Sequence, residues 1–294
     1  MDLFVQQLVG GLATGGIYAS LALALVMIHR ATELINFAQG EMAMFSTYIA
    51  WTLISAGMPY WAAFFITVTV SFAGGVVIER VVIRPVEKAS ILTIIVVFIG
   101  LLLIFNSLAG WIWTYTIKPF ESPFPDRPFH LFADISVRMH DAGAILVTLA
   151  VLTLVYLFFR FTPLGLAMRG AALNPESSRL VGIRVGWMLA LGWGLAAAIG
   201  AVAGMMVAPI TFLDPNMMAF VLLYAFAGAL LGGINSPGGA VVGGFMVGVL
   251  ENLAGTYVPF IGNELKLTLA LLLIIAVVIF RPSGLFGKPV VVRV

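Results

Sequence analysis

Side chains able to do chemistry are scarce in this chain, and they fall in three places. The first is LINFAQGEMAMFSTY, residues 34–48. At helical spacing Asn36, Gln39, Ala43 and Ser46 share one face, with Gly40 beside them. Glu41 projects elsewhere, beside Phe37, Phe45 and Tyr48. An ionised carboxylate within a bilayer costs roughly 2.5–3.5 kcal/mol on insertion scales, so such a residue is a candidate for lining or gating a path. The alternative is anchoring, because a first-turn acid is favoured by the helix dipole. The second place is LGGINSPGGAVVGG, residues 231–244. Here Gly232 and Gly233 end one helix, Asn235–Ser236–Pro237 turns, and Gly239 begins the next. Both stretches read Ile-Asn with a Gly four residues after the Asn. Interrupted helices of this kind in two halves of a transporter aim backbone dipoles at a ligand; the alternative is that the short likeness between the two stretches is chance. The third is RFTPLGLAMRGAALNPESSRLVGIRVG, residues 160–186, which is tolerant of water and rich in Arg.

Other chemistries lack their residues. Cysteine is absent, which removes disulfides, thiol nucleophiles and Cys-based metal sites. His29, His130 and His140 lack ligand spacing. No GxxxxGK[ST] pattern exists: GLFGK at 284–288 has the wrong spacing and is followed by Pro289. HExxH, GxSxG and paired carboxylates are likewise missing, so catalysis has no support.

The elements that position these groups must lie in lipid. Hydrophobic residues make up 62% of 294, charged residues 10%, and the mean hydropathy is +1.11. A soluble domain carries about 25% charge. Apolar runs suited to membrane helices occur near 7–28, 36–56, 60–82, 91–111, 142–159, 187–208, 217–234, 239–256 and 266–281. Gly and Pro weaken the seventh and eighth, which leaves eight or nine crossings. The first run has no basic leader before it, and it is expected to be retained as a span. The runs lack the alternation of a barrel, so the fold expected is all-α and polytopic, with some helices broken or re-entrant.

Basic residues orient the spans. Arg30, Arg80, Arg84, Lys88, Arg160, Arg169, Arg179, Arg184, Arg281, Lys288 and Arg293 would lie on one side. Lys118, Arg127, Arg138 and Lys266 would lie on the other. Eleven against four places the N-terminus outside and the C-terminus in the cytoplasm, as nine crossings require. The external loop 112–141 carries Pro119, Pro123, Pro125 and Pro128, which forbid a regular helix. Trp111, Trp113 and Tyr115 suit a membrane interface. This loop is either a packed linker or a docking surface. Small pairs four apart, at Gly11/Gly15, Gly200/Gly204, Gly228/Gly232, Gly239/Gly243 and Gly244/Gly248, predict close helix contacts.

Taken together, GLATGGIYASLALALVMIHRATELINFAQGEMAMFSTYIAW (11–51), RPVEKASILTIIVVFIGLLL (84–103), TPLGLAMRGAALNPESSRLVGI (162–183), LLGGINSPGGAVVGGFMVGVLE (230–251) and FRPSGLFGK (280–288) resemble the LivH-type permease subunits of branched-chain amino acid ABC transporters. The resemblance covers nearly the whole chain, as one permease domain over 1–294. It implies import of hydrophobic amino acids across a bacterial inner membrane, although related permeases carry urea or short amides. Gln39 departs from the family, where His is frequent, and this leaves the substrate more open.

The resemblance also makes 162–182 the cytoplasmic coupling loop that an ATPase grips, with Thr162, Gly165, Arg169, Ala171, Asn174, Arg179 and Gly182 as its residues. Local physics agrees: Thr162-Pro163 opens a helix, and Asn174-Pro175-Glu176 splits the loop into two short elements. The implied partners are two cytoplasmic ATPases, a second permease (a LivM-type paralogue or another copy), an external binding protein and the lipid bilayer, with no nucleic acid. No cofactor is implied on this chain, and ATP is hydrolysed by the partners. The expected substrate path uses Asn36, Gln39, Gly40, Glu41, Gly233, Asn235 and Gly239. A self-contained secondary transporter would prefer several intramembrane acids, and only Glu41 and Glu251 qualify. An intramembrane enzyme or scaffold would need an acid/base set that is absent.

Overall fold

A computed structural model describes residues 2–287 apart from Glu33, Asp126, Ala133, Asp134 and Asn263. Lys288 and Arg293, two of the charges used to orient the spans, lie outside the described residues. The order is α1 (Asp2–Thr32), α2 (Gln39–Ser55), α3 (Tyr60–Ile78), α4 (Ile91–Trp113), β1 (Pro128–Phe132), β2 (Ile135–Arg138), α5 (Met139–Phe161), α6 (Pro163–Leu173), α7 (Pro175–Leu180), α8 (Val185–Thr211), α9 (Met217–Gly232), α10 (Pro237–Tyr257) and α11 (Lys266–Phe280). After Ile78 the chain stays helical through a π turn, Glu79–Ile83, and a 3-10 turn, Arg84–Val86.

Each of the nine apolar runs is a helix. Six are long and apolar enough to cross a membrane: α1, α3 with its continuation, α4, α5, α8 and α10. The remaining three, α2, α9 and α11, have 17, 16 and 15 residues. At 1.5 Å per residue they reach about 22–26 Å, short of the ~30 Å hydrocarbon layer. Of the two runs weakened by Gly and Pro, the eighth forms a full-length helix, α10, and the seventh is the short α9.

The helices begin where side chains replace missing backbone partners. The hydroxyls of Ser90, Thr162 and Ser236 accept from the N–H groups of Thr93, Gly165 and Gly239, at 3.2, 3.0 and 3.1 Å. Asn174 does the same for Ser177 at 2.9 Å. Proline occupies the first turn of α6, α7 and α10.

The proline-rich loop is not wholly irregular. β1 and β2 pair antiparallel, Pro128 with Arg138 and Phe129 with Val137. Prolines at 119, 123 and 125 do exclude helix. Pro128 is tolerated because it opens a strand of a two-stranded ribbon.

The chain forms two compact units. One comprises Met1–Val26, Phe124–Thr148 and Phe220–Val294, and the other Met27–Pro123 and Leu149–Ala219. In the second unit α8 is the enclosed core helix, packed by α2 and α3. Gly200 and Gly204 of α8 face Ala43 and Thr47 of α2, and Gly75 of α3 meets Trp193 and Ala197. In the first unit Gly11 and Gly15 of α1 lie against Val249 and Phe245 of α10, and Gly228 of α9 touches Gly244 of α10. All five small-residue pairs therefore stand at helix contacts.

Candidate functional site

The polar run 34–48 lies in the second unit. Helix α2 begins only at Gln39, so Asn36 precedes it rather than extending its face. The Asn36 Oδ1 accepts from Ala38 N at 3.0 Å, and its Nδ2 donates to the Gln39 Oε1 at 3.4 Å. Gln39 Nε2 donates to the Ala196 carbonyl at 2.9 Å. Ala196 is eleven residues beyond Val185, so α2 starts about 16 Å along α8. The first helix break is therefore deep within its unit. Asn36 and Gln39 are fully buried, Gly40 is buried with them, and in this conformation the two side chains are occupied by protein partners.

Glu41 differs from them. It is 6% exposed, and its Oε2 has no hydrogen-bond partner among the described residues. A buried group left unpaired costs about 1–3 kcal/mol, and more when charged. The start of α2 offsets about 0.3–1 kcal/mol, reaching ~2 at most. The dipole alone does not balance this carboxylate. The Asn106 side chain hydrogen-bonds the carboxylate, the Asp214 carboxylate lies nearby, and Asp214 also acts on Tyr48. Tyr48 is fully buried and its hydroxyl is likewise unpartnered. Tyr48 shares the Glu41 side of α2 by its spacing, whereas Asn106 and Asp214 were not legible as companions of Glu41, because only the packing of α4 and the α8–α9 connection brings them there.

The second run, 231–244, lies in the first unit. Gly233 adopts φ +112°, and a Cβ there would meet Gly287 N at 2.7 Å and Ser283 O at 2.8 Å. The turn is sealed from one side: Leu285 N donates to Leu231 O at 2.8 Å and Phe286 N to Gly232 O at 3.0 Å. Two carbonyls at the end of α9 are thus taken by the chain's own C-terminal segment. Asn235 is exposed on the turn, and Gly239 is buried against Gly232. The two Ile-Asn stretches belong to different units and differ in setting.

The third run forms a helical hairpin in the second unit. Thr162 caps α6, and Asn174 ends α6 and caps α7. Gly165 is required by closeness, since a Cβ would lie 2.7 Å from Phe159 Cα. Gly182 is required by its φ of +84° after α7. Ala171 is 1% exposed and faces the protein, whereas Leu173, Leu180 and Val181 are 73%, 89% and 75% exposed. An open groove of about 540 Å³ runs between the two short helices, lined by Leu166, Gly170, Leu173, Ser177 and Val181. Arg179 is exposed, and Arg169 has a buried Nε without a partner among the described residues. Arg80 and Arg84, counted in the sequence only as orienting charges, clamp this region. Arg84 pairs with Glu79 at 3.0 Å and donates to the Gly186 carbonyl, and Arg80 stacks 3.2 Å over Trp187.

The family model described as "Branched-chain amino acid transport system / permease component" matches residues 7–278. The chain belongs to that family. This permease is 30% identical to the high-affinity branched-chain amino acid transport system permease protein BraD of Pseudomonas aeruginosa, over 99% of this chain and 98% of the relative. It is 29% identical, with the same coverage, to the permease protein LivH of Salmonella typhimurium. A solved structure, PsaBC from Streptococcus pneumoniae in complex with Fab, superposes with a TM-score of 0.51 at 12% identity. The superposition covers 96% of this chain and 93% of that one. That likeness concerns the fold alone. The permease is therefore a multi-span membrane protein of a transporter family, with relatives that are permeases rather than enzymes.

Proposed function

We propose that this chain is the membrane-spanning permease subunit of an ABC importer that moves branched-chain or other hydrophobic amino acids across the inner membrane. Hydrolysis belongs to two separate cytoplasmic ATPases, and this chain binds no cofactor. A second permease, whether a paralogue or another copy, completes the path, and an external binding protein delivers the substrate. The whole chain acts as one permease domain, with 112–141 outside and 160–186 in the cytoplasm.

The observation that carries this reading is the outward edge of the α6–α7 hairpin. Leu173, Leu180 and Val181 stand exposed beside a groove, flanked by Arg179 and Arg184. An apolar edge with a basic rim suits a soluble partner better than it suits water. Two features support a cytoplasmic placement with the N-terminus outside. The basic residues divide eleven to four. The segment after α11 also bonds to the α9–α10 turn, which puts these two segments on one side.

Neutral Asn36 and Gln39 with Gly40 in the second unit, and Asn235 with Gly233 and Gly239 in the first, are each proposed as pathway residues that let substrate pass without tight binding. ATPase closure on the hairpin then shifts the bundle between outward and inward openings.

Expression with the neighbouring reading frames tests the proposal. Co-purified ATPases and ATP-dependent leucine uptake are expected. Arg169→Glu or Leu180→Asp should lower leucine-stimulated hydrolysis at least tenfold while membrane insertion persists, and unchanged uptake contradicts the assignment. Uptake by this chain alone in ATP-free liposomes ends it and favours a self-contained carrier. Uptake of urea or short amides in place of leucine leaves the architecture standing and changes the cargo.

A further inference from the structure

A polar thread runs inward through the second unit. It begins at exposed Asn216, passes half-buried Asp214 and Asn106, and ends at buried Glu41. Asn106 Nδ2 donates to the Pro215 carbonyl at 2.9 Å and to Asn216 Oδ1 at 3.2 Å, which ties α4 to the connection after α8. Asn216 N donates to Asp214 Oδ1 at 2.7 Å. At the inner end two acceptors have no partner among the described residues, Glu41 Oε2 and the Tyr48 hydroxyl oxygen. Asp214 acts on both groups, Asn106 hydrogen-bonds Glu41, and among the described residues no cationic side chain acts on either. Lys118 pairs by its backbone with Leu213, beside Asp214, and its Nζ lies 4.9 Å from the Trp51 ring.

Contrast another acid, half-buried on α10. Glu251 accepts from the Tyr18 hydroxyl at 2.8 Å and has Lys266 as a charge partner. Glu251 thus has both a hydrogen-bond donor and a cation, whereas Glu41 has the Asn106 side chain but no cation among the described residues, and its Oε2 stays unpartnered.

The wall beside Glu41 is aromatic. Tyr48 stacks on Trp113 at 4.9 Å between centroids, and Phe45 meets Phe105 and Trp113 edge-on at 5.3 Å. The residues that end α4 and α8 are strained. Thr114 and Phe212 hold φ of +66° and +63°, with ψ near +165°, a region other residues leave to glycine. No cluster of three or more metal-ligating side chains occurs among the described residues, so the acceptors do not form a metal cage.

From these observations we infer that Glu41, Asp214, Asn106 and Tyr48 form a recognition site for a primary ammonium group on an apolar carbon chain. An ammonium brings three donors and one positive charge. The carboxylates and the tyrosine oxygen accept the donors, and the aromatic wall receives the carbon chain and the cation alike. A substrate carboxylate is not read here, because Glu41 already occupies the positive end of α2. This rests on the amino-acid reading above and assigns to the permease itself the part of selection that distinguishes an amine from an acid.

The test uses the intact permease with its co-purified partners in lipid nanodiscs. Radiolabelled 3-methylbutylamine, L-leucine and 4-methylpentanoate are each equilibrated with wild type, Glu41→Gln, Asp214→Asn and Tyr48→Phe. The amine and leucine should bind to wild type, and 4-methylpentanoate should not. Glu41→Gln should weaken amine binding at least tenfold, and Tyr48→Phe by a smaller factor. Asp214→Asn sits in a half-buried connection and provides the same tenfold reading should Glu41→Gln fail to remain monodisperse. Amine binding that is absent in wild type, or unchanged in Glu41→Gln and Asp214→Asn, overturns the site even where ATP-driven leucine uptake continues. Glu41-dependent amine binding without leucine uptake keeps the site and removes the amino-acid import reading instead.

Discussion

Gly238 and Gly239 are neighbours in the first turn of α10, yet a methyl group should affect them in opposite ways. At Gly238 a Cβ meets nothing within 4 Å. Alanine there gains about 0.5–1 kcal/mol in helix propensity, less any fraying of the first turn. At Gly239 a Cβ would run into the Gly232 carbonyl, with Ser236 Oγ at 2.9 Å and Gly232 C at 3.0 Å, where ordinary contacts begin at 3.4 Å. The obstacle is backbone on one side and a capping hydroxyl on the other, so no rotamer change relieves it. Helices α9 and α10 must separate by about half an ångström or more, and overpacking of this kind costs about 1–3 kcal/mol. The upper end applies, because Gly232 is itself fixed by Phe286 N. At about 2–4 °C per kcal/mol for a chain of this size, Gly239→Ala should melt roughly 5–10 °C below wild type, and Gly238→Ala at or slightly above it. Thermal denaturation of detergent-solubilised protein, followed by size-exclusion fluorescence, reads both. Equal melting of the two variants refutes the packing argument.

Asn174→Ala removes the cap of α7 and should cost about 1 kcal/mol locally. Faster hydrogen exchange confined to 175–182 is the expected signature, and unaltered exchange there would contradict the capping role. Phe212→Gly relieves a left-handed residue and should raise stability by about 1–3 kcal/mol, visible as a higher melting temperature. A lower melting temperature would mean that the exposed Phe212 ring contributes more than its backbone costs.

Most of the helical plan was legible because apolar runs in lipid have few alternatives. The spacing of Gly200/Gly204 and Gly239/Gly243 announced contacts that the structure contains. The caps at Thr162 and Asn174 followed from residue type alone. What escaped was long-range. Nothing local in LINFAQGEMAMF reveals that α2 starts midway along α8, since helix depth depends on the partner and not on the segment. Nothing in the sequence joins Glu41 to Asn106 and Asp214. Ala171 reads as an accessible loop residue but is buried, because α6 is amphipathic and turns its small face toward α8. The hairpin at 128–138 was masked by Pro128 and the three prolines just before it.

The meeting of α9 with α10 has a mechanical consequence. Gly228, Gly232, Gly239, Gly243 and Gly244 bring main chain against main chain, leaving no layer of flexible side chains to shear or compress. The pair is therefore a stiff strut, further pinned at one end by the residues following α11. Whatever displacement this half of the protein undergoes must originate at the strut's flanks, and a load applied at the 284–286 fastening is transmitted along it with little loss.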